Sequence, residues 1–191
     1  VAENIEPKTR LLLECLDRYK FAVVFLAGCI RSAPLILPPD QGRMTLEEIE
    51  ASGPGIRRIQ DHDLDRLLFD SACRISTSFD SLQVEGSQKN SDIAVVTFTS
   101  GTRGRPEPHH KTQATLSASA QLIDHFLGGV HGVRIVATVP PQHMYGLETS
   151  ILLPLYCGAI LDGRRPFFPA DIVRAIEEGP GPAACLLYTS P

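Results

Sequence analysis

No two cysteines in this sequence are spaced as C-x-x-C, and the five present, at positions 15, 29, 73, 157 and 185, are odd in number. A disulfide framework of the kind that staples small secreted domains is therefore a poor fit. Cys29, Cys157 and Cys185 stand in apolar stretches, which reads as buried free thiols in a reducing, cytoplasmic compartment. Long hydrophobic runs are also missing. The longest, residues 21–30, has ten residues, whereas a membrane-spanning helix needs about 20. Asp17, Arg18 and Lys20 interrupt the early apolar residues, so no signal peptide is legible. There is no lysine-rich run or basic stripe, and the net charge is −4, which argues against a nucleic-acid partner. No internal repeat or low-complexity tract is visible. The chain opens on Val1 and stops at Pro191, straight after an apolar run that looks like a strand. Both ends read as cuts in a longer protein, so apolar surface should be left exposed and favour self-association into a homo-oligomer.

What remains is an ordinary globular composition. The 191 residues are 43% hydrophobic and 21% charged, enough for one domain or two small lobes. Residues 9–30 read as a helix with a break near Asp17. Leu35, Ile36 and Leu37 read as a short buried strand stopped by Pro38-Pro39, and Thr45 to Glu48 as a capping box that starts a short helix. A strand follows over 56–59. Residues 61–90 are less periodic, with turns at 76–81 and 86–91, and the boundary between lobes 1–90 and 91–191 is placed there. The second half alternates clearly: a β-branched strand over 93–98, a helix over 111–127, a strand over 134–139, an apolar helix over 146–156, a short strand over 159–161, an amphipathic helix over 169–178 and a strand over 184–188. Strands alternating with helices predict an α/β fold, a mostly parallel sheet flanked by helices.

The chemistry is concentrated after the 93–98 strand, in Thr97-Phe98-Thr99-Ser100-Gly101-Thr102-Arg103-Gly104-Arg105-Pro106. The hydroxyls of Thr99, Ser100 and Thr102 can donate to phosphate oxygens. Gly101 and Gly104 let the backbone approach an anion and aim N–H groups at it. Arg103 and Arg105 add positive charge. A solvated Ser/Thr/Gly turn has the same composition, and composition alone does not separate the two. The segment is not a Walker loop, because no Gly-Lys-Ser/Thr closes it.

Taken as a set, the segments resemble the adenylate-forming superfamily of acyl-CoA synthetases, aryl-acid ligases, luciferases and nonribosomal adenylation domains. Phe98-Thr99-Ser100-Gly101-Thr102-x-Gly104-x-Pro106 is similar to its signature phosphate loop. Residues 17–39 resemble its early helix and strand. Pro140-Pro141-Gln142-His143-Met144-Tyr145-Gly146-Leu147 resembles its PxxHxxGL turn, Leu153 to Ala159 its LxPLxxGA segment, and Phe168 to Ile176 a later helix. The likeness covers most of the chain. It implies a partial N-terminal domain of an adenylate-forming enzyme, an acid–thiol ligase that joins a carboxylic acid to ATP as an acyl-adenylate and passes the acyl group to CoA or an acyl carrier protein, with Mg²⁺ accompanying ATP. It further implies Thr99, Ser100, Gly101, Thr102 and Gly104 at the phosphates, Arg103 and Lys111 as charge partners, and His143, Tyr145 and Gly146 beside the acyl pocket. Two departures stand out. Arg103 replaces the family's usual Thr or Ser, and Glu107 replaces the Lys that usually follows the loop's proline. The family's adenine motif with its magnesium-binding Glu, its ribose-binding Asp and its catalytic Lys lie downstream of anything here. No certain catalytic residue is present, and the chain alone is expected to be inactive. The alternative is a nucleotide- or anion-binding module without catalysis.

Other residues weigh less. His143 serves equally well as a cap of the next helix, and Tyr145 and Leu147 as core. The adjacent His109 and His110 point apart on a strand or helix, which disfavours a metal, and Asp61-His62-Asp63 reads as a solvated turn rather than a ligand set. Ser100 lacks an obvious base and is not read as a nucleophile.

Overall fold

The computed structural model describes residues 2–6, 9–40, 42–70, 93–99 and 107–186. Its first regular elements are a strand, β1 (Arg10–Leu13), and a helix, α1 (Arg18–Arg31). The helix expected over 9–30 is thus two elements. Leu11, Leu12 and Leu13 are all buried, and a run buried on both faces carries no period that separates strand from helix. Asp17 caps α1 by accepting from the Lys20 amide at 3.0 Å, satisfying one orphan donor of the first turn.

Strands β2 (Leu35–Ile36), β3 (Ile56–Ile59) and β4 (Ile93–Thr99) fall where expected. Helix α2 (Arg43–Ala51) begins before the capping box read at Thr45. Gly42 holds the N-cap position, and the Thr45 hydroxyl donates to Asp40 at 3.1 Å instead of capping a helix. Helix α3 (Asp61–Asp70) corrects the solvated turn read at Asp61-His62-Asp63. Asp61 accepts from the amides of Leu16 at 3.0 Å and Asp17 at 3.3 Å, and Asp63 accepts from Gln60 at 2.9 Å. Asp61 thus ties the segment between β1 and α1 to the start of α3, while the Asp63 contact is local to the first turn of α3. The turns read at 76–81 and 86–91 lie outside the described residues.

Strand β5 (Glu107–Thr112) takes the first residues of the helix expected over 111–127, so α4 runs Gln113–Phe126. Thr112 marks the switch, its hydroxyl accepting from the Thr115 amide at 3.2 Å. Then come β6 (Arg134–Ala137), α5 (Met144–Leu147), a π-helical turn (Glu148–Leu152), α6 (Leu153–Cys157), β7 (Ile160–Leu161), α7 (Pro169–Glu177) and β8 (Ala183–Leu186). In the helix expected over 146–156, Thr149 and Ser150 donate to the carbonyls of Tyr145 at 2.7 Å and Gly146 at 2.6 Å. Such back-bonding competes with the regular ladder and coincides with the π turn.

The strands form two sheets. One has the order β3-β1-β2-β4-β5, parallel except that β5 runs antiparallel to β4; the other is β7-β6-β8, all parallel. The main core packs Leu11, Leu13, Leu35 and Val95 of the first sheet against Phe21, Val24 and Phe25 of α1 and Leu116 and Ala120 of α4. Leu147, Ile151 and Leu152 join that core, whereas the next residue, Leu153, joins Val130 and Ile135 beneath the second sheet. The α5–α6 segment therefore lies between the sheets. The first sheet's other face packs Leu12 and Ile36 against Leu46 and Ile49 of α2. Phe126, Phe167 and Phe168 stand exposed. Among the described residues no helix is long and apolar enough to cross a membrane.

A buried polar network anchors α7 to β6. Arg134 donates to Asp162 at 2.6 Å and to the carbonyls of Ala175 at 2.7 Å and Ile176 at 2.9 Å, and Arg164 donates to Asp162 at 2.7 Å and to Ala175 at 2.6 Å. Burial alone would raise the Asp162 pKa, but hydrogen bonds from Arg164 and Arg134 outweigh it and hold the carboxyl at about 2 against its ordinary 3.8. A depressed folded-state pKa stabilises the fold fully above the ordinary value and is lost as pH falls through the folded one. Acid titration of unfolding free energy is thus expected to lose about 2 kcal/mol through Asp162 between roughly pH 4 and pH 2. Asp162→Asn should flatten that part of the curve, and an unchanged slope would remove Asp162 as its source.

Candidate functional site

In open parallel sheets, ligands bind beyond the carboxyl ends of the strands. At that edge of the first sheet β4 ends at Thr99, directly opposite Glu107 on β5. Residues 100–106 connect these two positions; Ser100, Gly101, Thr102, Arg103 and Gly104 lie outside the described residues. Thr99 is the last residue of β4, as the sequence predicts. Glu107 is exposed and occupies the first position after them.

Lys111 is on strand β5, not on a helix, and is paired with Val95. Four residues from Glu107 at about 3.4 Å each place it roughly 13 Å along the strand from the Thr99 end. It shares the main-core face of the sheet with its partner Val95. His109 pairs with Thr97, whose hydroxyl donates to the His109 carbonyl at 3.5 Å. His110 pairs with Val96 and faces the other side, where it lines a cavity of about 330 Å³ with Arg10, Ile49, Phe98 and Pro108. The two histidines thus point to opposite faces, as adjacent strand residues must.

The second cluster follows β6. Pro140 and Pro141 lead into His143, which takes the N-cap position of α5 with extended backbone. Its amide donates to the Pro140 carbonyl at 3.2 Å and its carbonyl accepts from Leu147 at 2.8 Å. Its side chain makes no capping hydrogen bond and is exposed. The backbone alone closes the helix, so the imidazole is not used as a cap. Tyr145 is half-buried, and desolvation raises its phenol pKa. Gly146 is buried with its α-carbon against the Pro140 carbonyl. Gln142 donates its side-chain amide to the carbonyl of Cys15, just past β1. That contact puts the His143 turn at the carboxyl edge of β1. In the order β1-β2-β4, Thr99 is two strand spacings away, about 10 Å. The fold thus brings Thr99 and the His143 turn to one edge and places Lys111 toward the other.

Sequence reasoning missed the residues that hold this edge. Arg18 is 1% exposed, and its guanidinium donates to the carbonyls of Arg164 at 2.6 Å, Ala137 at 2.7 Å and Val139 at 3.0 Å. A charge inside an otherwise apolar helical stretch was the available signal. Cys15 is buried, and burial, with the Asp61 charge, pushes its thiol up to about 12, which disfavours the thiolate that a nucleophile needs.

The same fold occurs in O-succinylbenzoate coenzyme A synthetase from Bacillus subtilis, solved with ATP and magnesium ion, at a TM-score of 0.68 and 16% identity over 93% of this chain and 50% of that one. The architecture is that of the N-terminal region of adenylate-forming enzymes. The sequence profile of the AMP-binding enzyme family matches residues 13–182, and the chain belongs to that family. A 4-coumarate–CoA ligase of Halorhodospira halophila is 35% identical over 96 residues, which are 50% of this chain and 22% of that protein. A probable 2-succinylbenzoate–CoA ligase of Mycobacterium tuberculosis is 42% identical over 66 residues, 35% of this chain and 17% of that protein. The chain thus matches about a fifth of the length of these curated relatives.

Proposed function

We propose that the whole protein carrying this chain is an AMP-forming acid–thiol ligase. It condenses a carboxylic acid with ATP, releasing pyrophosphate, and transfers the acyl group from the acyl-adenylate to the thiol of coenzyme A or of a carrier protein. The observation that carries this reading is positional. A hydroxyl- and glycine-rich segment leaves β4 at the carboxyl edge of a parallel sheet, and the His143 turn is held at the same edge. The donor chemistry of Thr99, Ser100 and Thr102, with the backbone at Gly101 and Gly104, fits a polyphosphate as substrate. Mg²⁺, bound with ATP, would neutralise part of the phosphate charge. These residues bind and orient phosphate oxygens, and preorganised donors of this kind lower the barrier by positioning and by stabilising developing charge. His143, Tyr145 and Gly146 border the acyl group in this reading. The names of the curated relatives, both CoA ligases, favour coenzyme A as acceptor.

The test is ATP–pyrophosphate exchange with a panel of carboxylic acids, run on the whole protein and on the 191-residue chain. Acid-dependent exchange is expected from the first and none from the second. ATP binding by the whole protein with no exchange for any acid would leave the non-catalytic binding module. Arg103 adjoins the hydroxyls in sequence, so Arg103→Ala is expected to weaken ATP use about ten-fold, the effect of one charge-assisted contact of roughly 1.4 kcal/mol. Lys111 acts from farther down β5, so Lys111→Ala should lose less. Glu107→Lys should be tolerated or mildly helpful, because it removes a carboxylate beside the phosphates. Equal exchange by wild type and Arg103→Ala would dismiss the guanidinium as a phosphate ligand.

A further inference from the structure

Two buried polar side chains fasten the His143 turn to the rest of the fold, and neither is among the residues assigned to ligand above. Arg18 opens α1 and binds three neutral carbonyls, those of Ala137 and Val139 at the end of β6 and that of Arg164 in the segment after β7. Gln142 is 7% exposed, and its amide reaches back to the Cys15 carbonyl. The two contacts cross in opposite senses. One runs from α1 to the β6 end, and the other from the turn after β6 to the β1 end. Together they close a short bridge between the two sheets at the edge where Thr99 lies.

Stability alone does not account for this arrangement. A buried guanidinium among carbonyls bears a desolvation cost, and well-packed apolar side chains often do as well or better. Here the arginine Nε and the Gln142 Oε1 are also buried without a hydrogen-bond partner among the described residues, a further penalty of the same kind. What the pair supplies is direction. The planar fork of an arginine fixes several acceptors at once, here in two segments far apart in sequence. The turn it holds is stiff. Pro140 and Pro141 have their φ angles locked, and Gly146 is wedged against the Pro140 carbonyl. Any shift at Val139 is therefore passed to His143 rather than absorbed.

We propose that Arg18 and Gln142 are positioning residues that hold the 140–146 turn, and with it the His143 imidazole, in the register that acyl-adenylation requires. The proposal rests on the ligase reading above, and its test separates the two. In the whole protein, Arg18→Lys keeps the charge but not the fork, and Gln142→Met keeps the volume while removing one hydrogen bond and one unpaired acceptor. Gln142→Met should fold with an unfolding midpoint close to wild type, so it remains informative if Arg18→Lys does not fold. Both variants are expected to lower the turnover of acid-dependent exchange by up to about a hundred-fold, the scale of a 1 Å misplacement. The KM for ATP should change by less than about three-fold, because ground-state nucleotide binding is not what is lost. The effect should vanish in a His143→Ala background, where Gln142→Met should slow the enzyme by less than about two-fold, since residues acting through one another are non-additive. The His143 ring resonances, assigned with His143→Ala, should move or broaden in both variants. Unchanged resonances and turnover in folded Gln142→Met would overturn the proposal, as would full additivity with His143→Ala. If wild type shows no exchange with any acid, the ligase reading fails by itself, and unshifted His143 resonances would then refute the positioning role separately.

Discussion

Replacing Arg134 with methionine is expected to destabilise the protein by about 3–5 kcal/mol, the range for breaking a buried ion pair from one side. The Arg134 side chain is 6% exposed and that of Asp162 5%, so neither charge has water to fall back on. The methionine would leave Asp162 with Arg164, whose side chain is 40% exposed and too wet to replace a buried partner. It would also strip the Ile176 carbonyl of its arginine donor and leave that of Ala175 with Arg164 alone. These lie in the last turn of α7, where the helix dipole favours a cation. Gly179 belongs to the same device: a β-carbon there would overlap the Arg134 guanidinium, so the chain passes the arginine only as glycine. Removing both charges, in Arg134→Met with Asp162→Leu, should cost less than Arg134→Met alone, because no buried carboxylate is then left with only the half-exposed Arg164. Equilibrium urea unfolding of the two variants measures this directly. A single variant within about 1 kcal/mol of wild type, the value of a surface pair, would show that the network carries no such weight.

How much of this was legible in the sequence depended on burial and on contact range. Strands β2, β4, β6, β7 and β8 were readable because apolar or β-branched runs were bounded by glycine or proline. Amphipathic α7 was readable from its period. β1 was not, because three consecutive buried leucines have no face to reveal. β5 was hidden for the opposite reason: Glu107-Pro108-His109-His110 is polar and carries a proline, as an edge strand tolerates and a central one does not. Its neighbour β4 specifies the pairing, residue by residue. The candidate site divides in the same way. The hydroxyl–glycine segment after β4 and the Pro140–Gly146 turn stand out through their resemblance to the family's motifs, since composition alone leaves a solvated turn open. The residues that fix the turn do not, since the partners of Arg18 are 119, 121 and 146 positions away. No local pattern encodes a bond across that span. An arginine that interrupts an apolar stretch signals only that something must satisfy it.

Gly146→Ala is expected to destabilise the protein by the upper end of the roughly 1–3 kcal/mol range for overpacking, or more, and to disable the His143 turn. Helix propensity points the other way. Gly146 lies in α5 with no positive φ, and alanine in a helix interior is favoured over glycine by about 1 kcal/mol. The clash must therefore outweigh a real gain. An ideal β-carbon at Gly146 would stand 2.7 Å from the carbonyl carbon of Pro140, closer still to its oxygen, and 3.0 Å from the Val139 oxygen. These are backbone atoms and cannot rotate aside. The Val139 carbonyl is held by Arg18 at 3.0 Å, and the φ of Pro140 is fixed by its ring. Relief can come only from displacing α5, which carries Leu147 out of the main core and shifts His143 at its N-terminus. The control is Gly163→Ala, where nothing lies within 4 Å of the added carbon and the change should stay within about 0.5 kcal/mol. Urea unfolding of both variants gives the comparison, with acid-dependent pyrophosphate exchange as the functional readout. If Gly146→Ala is as stable as Gly163→Ala and exchanges at the wild-type rate, the Pro140 carbonyl does not press on Gly146 as described, and the stiffness argued for the turn falls with it.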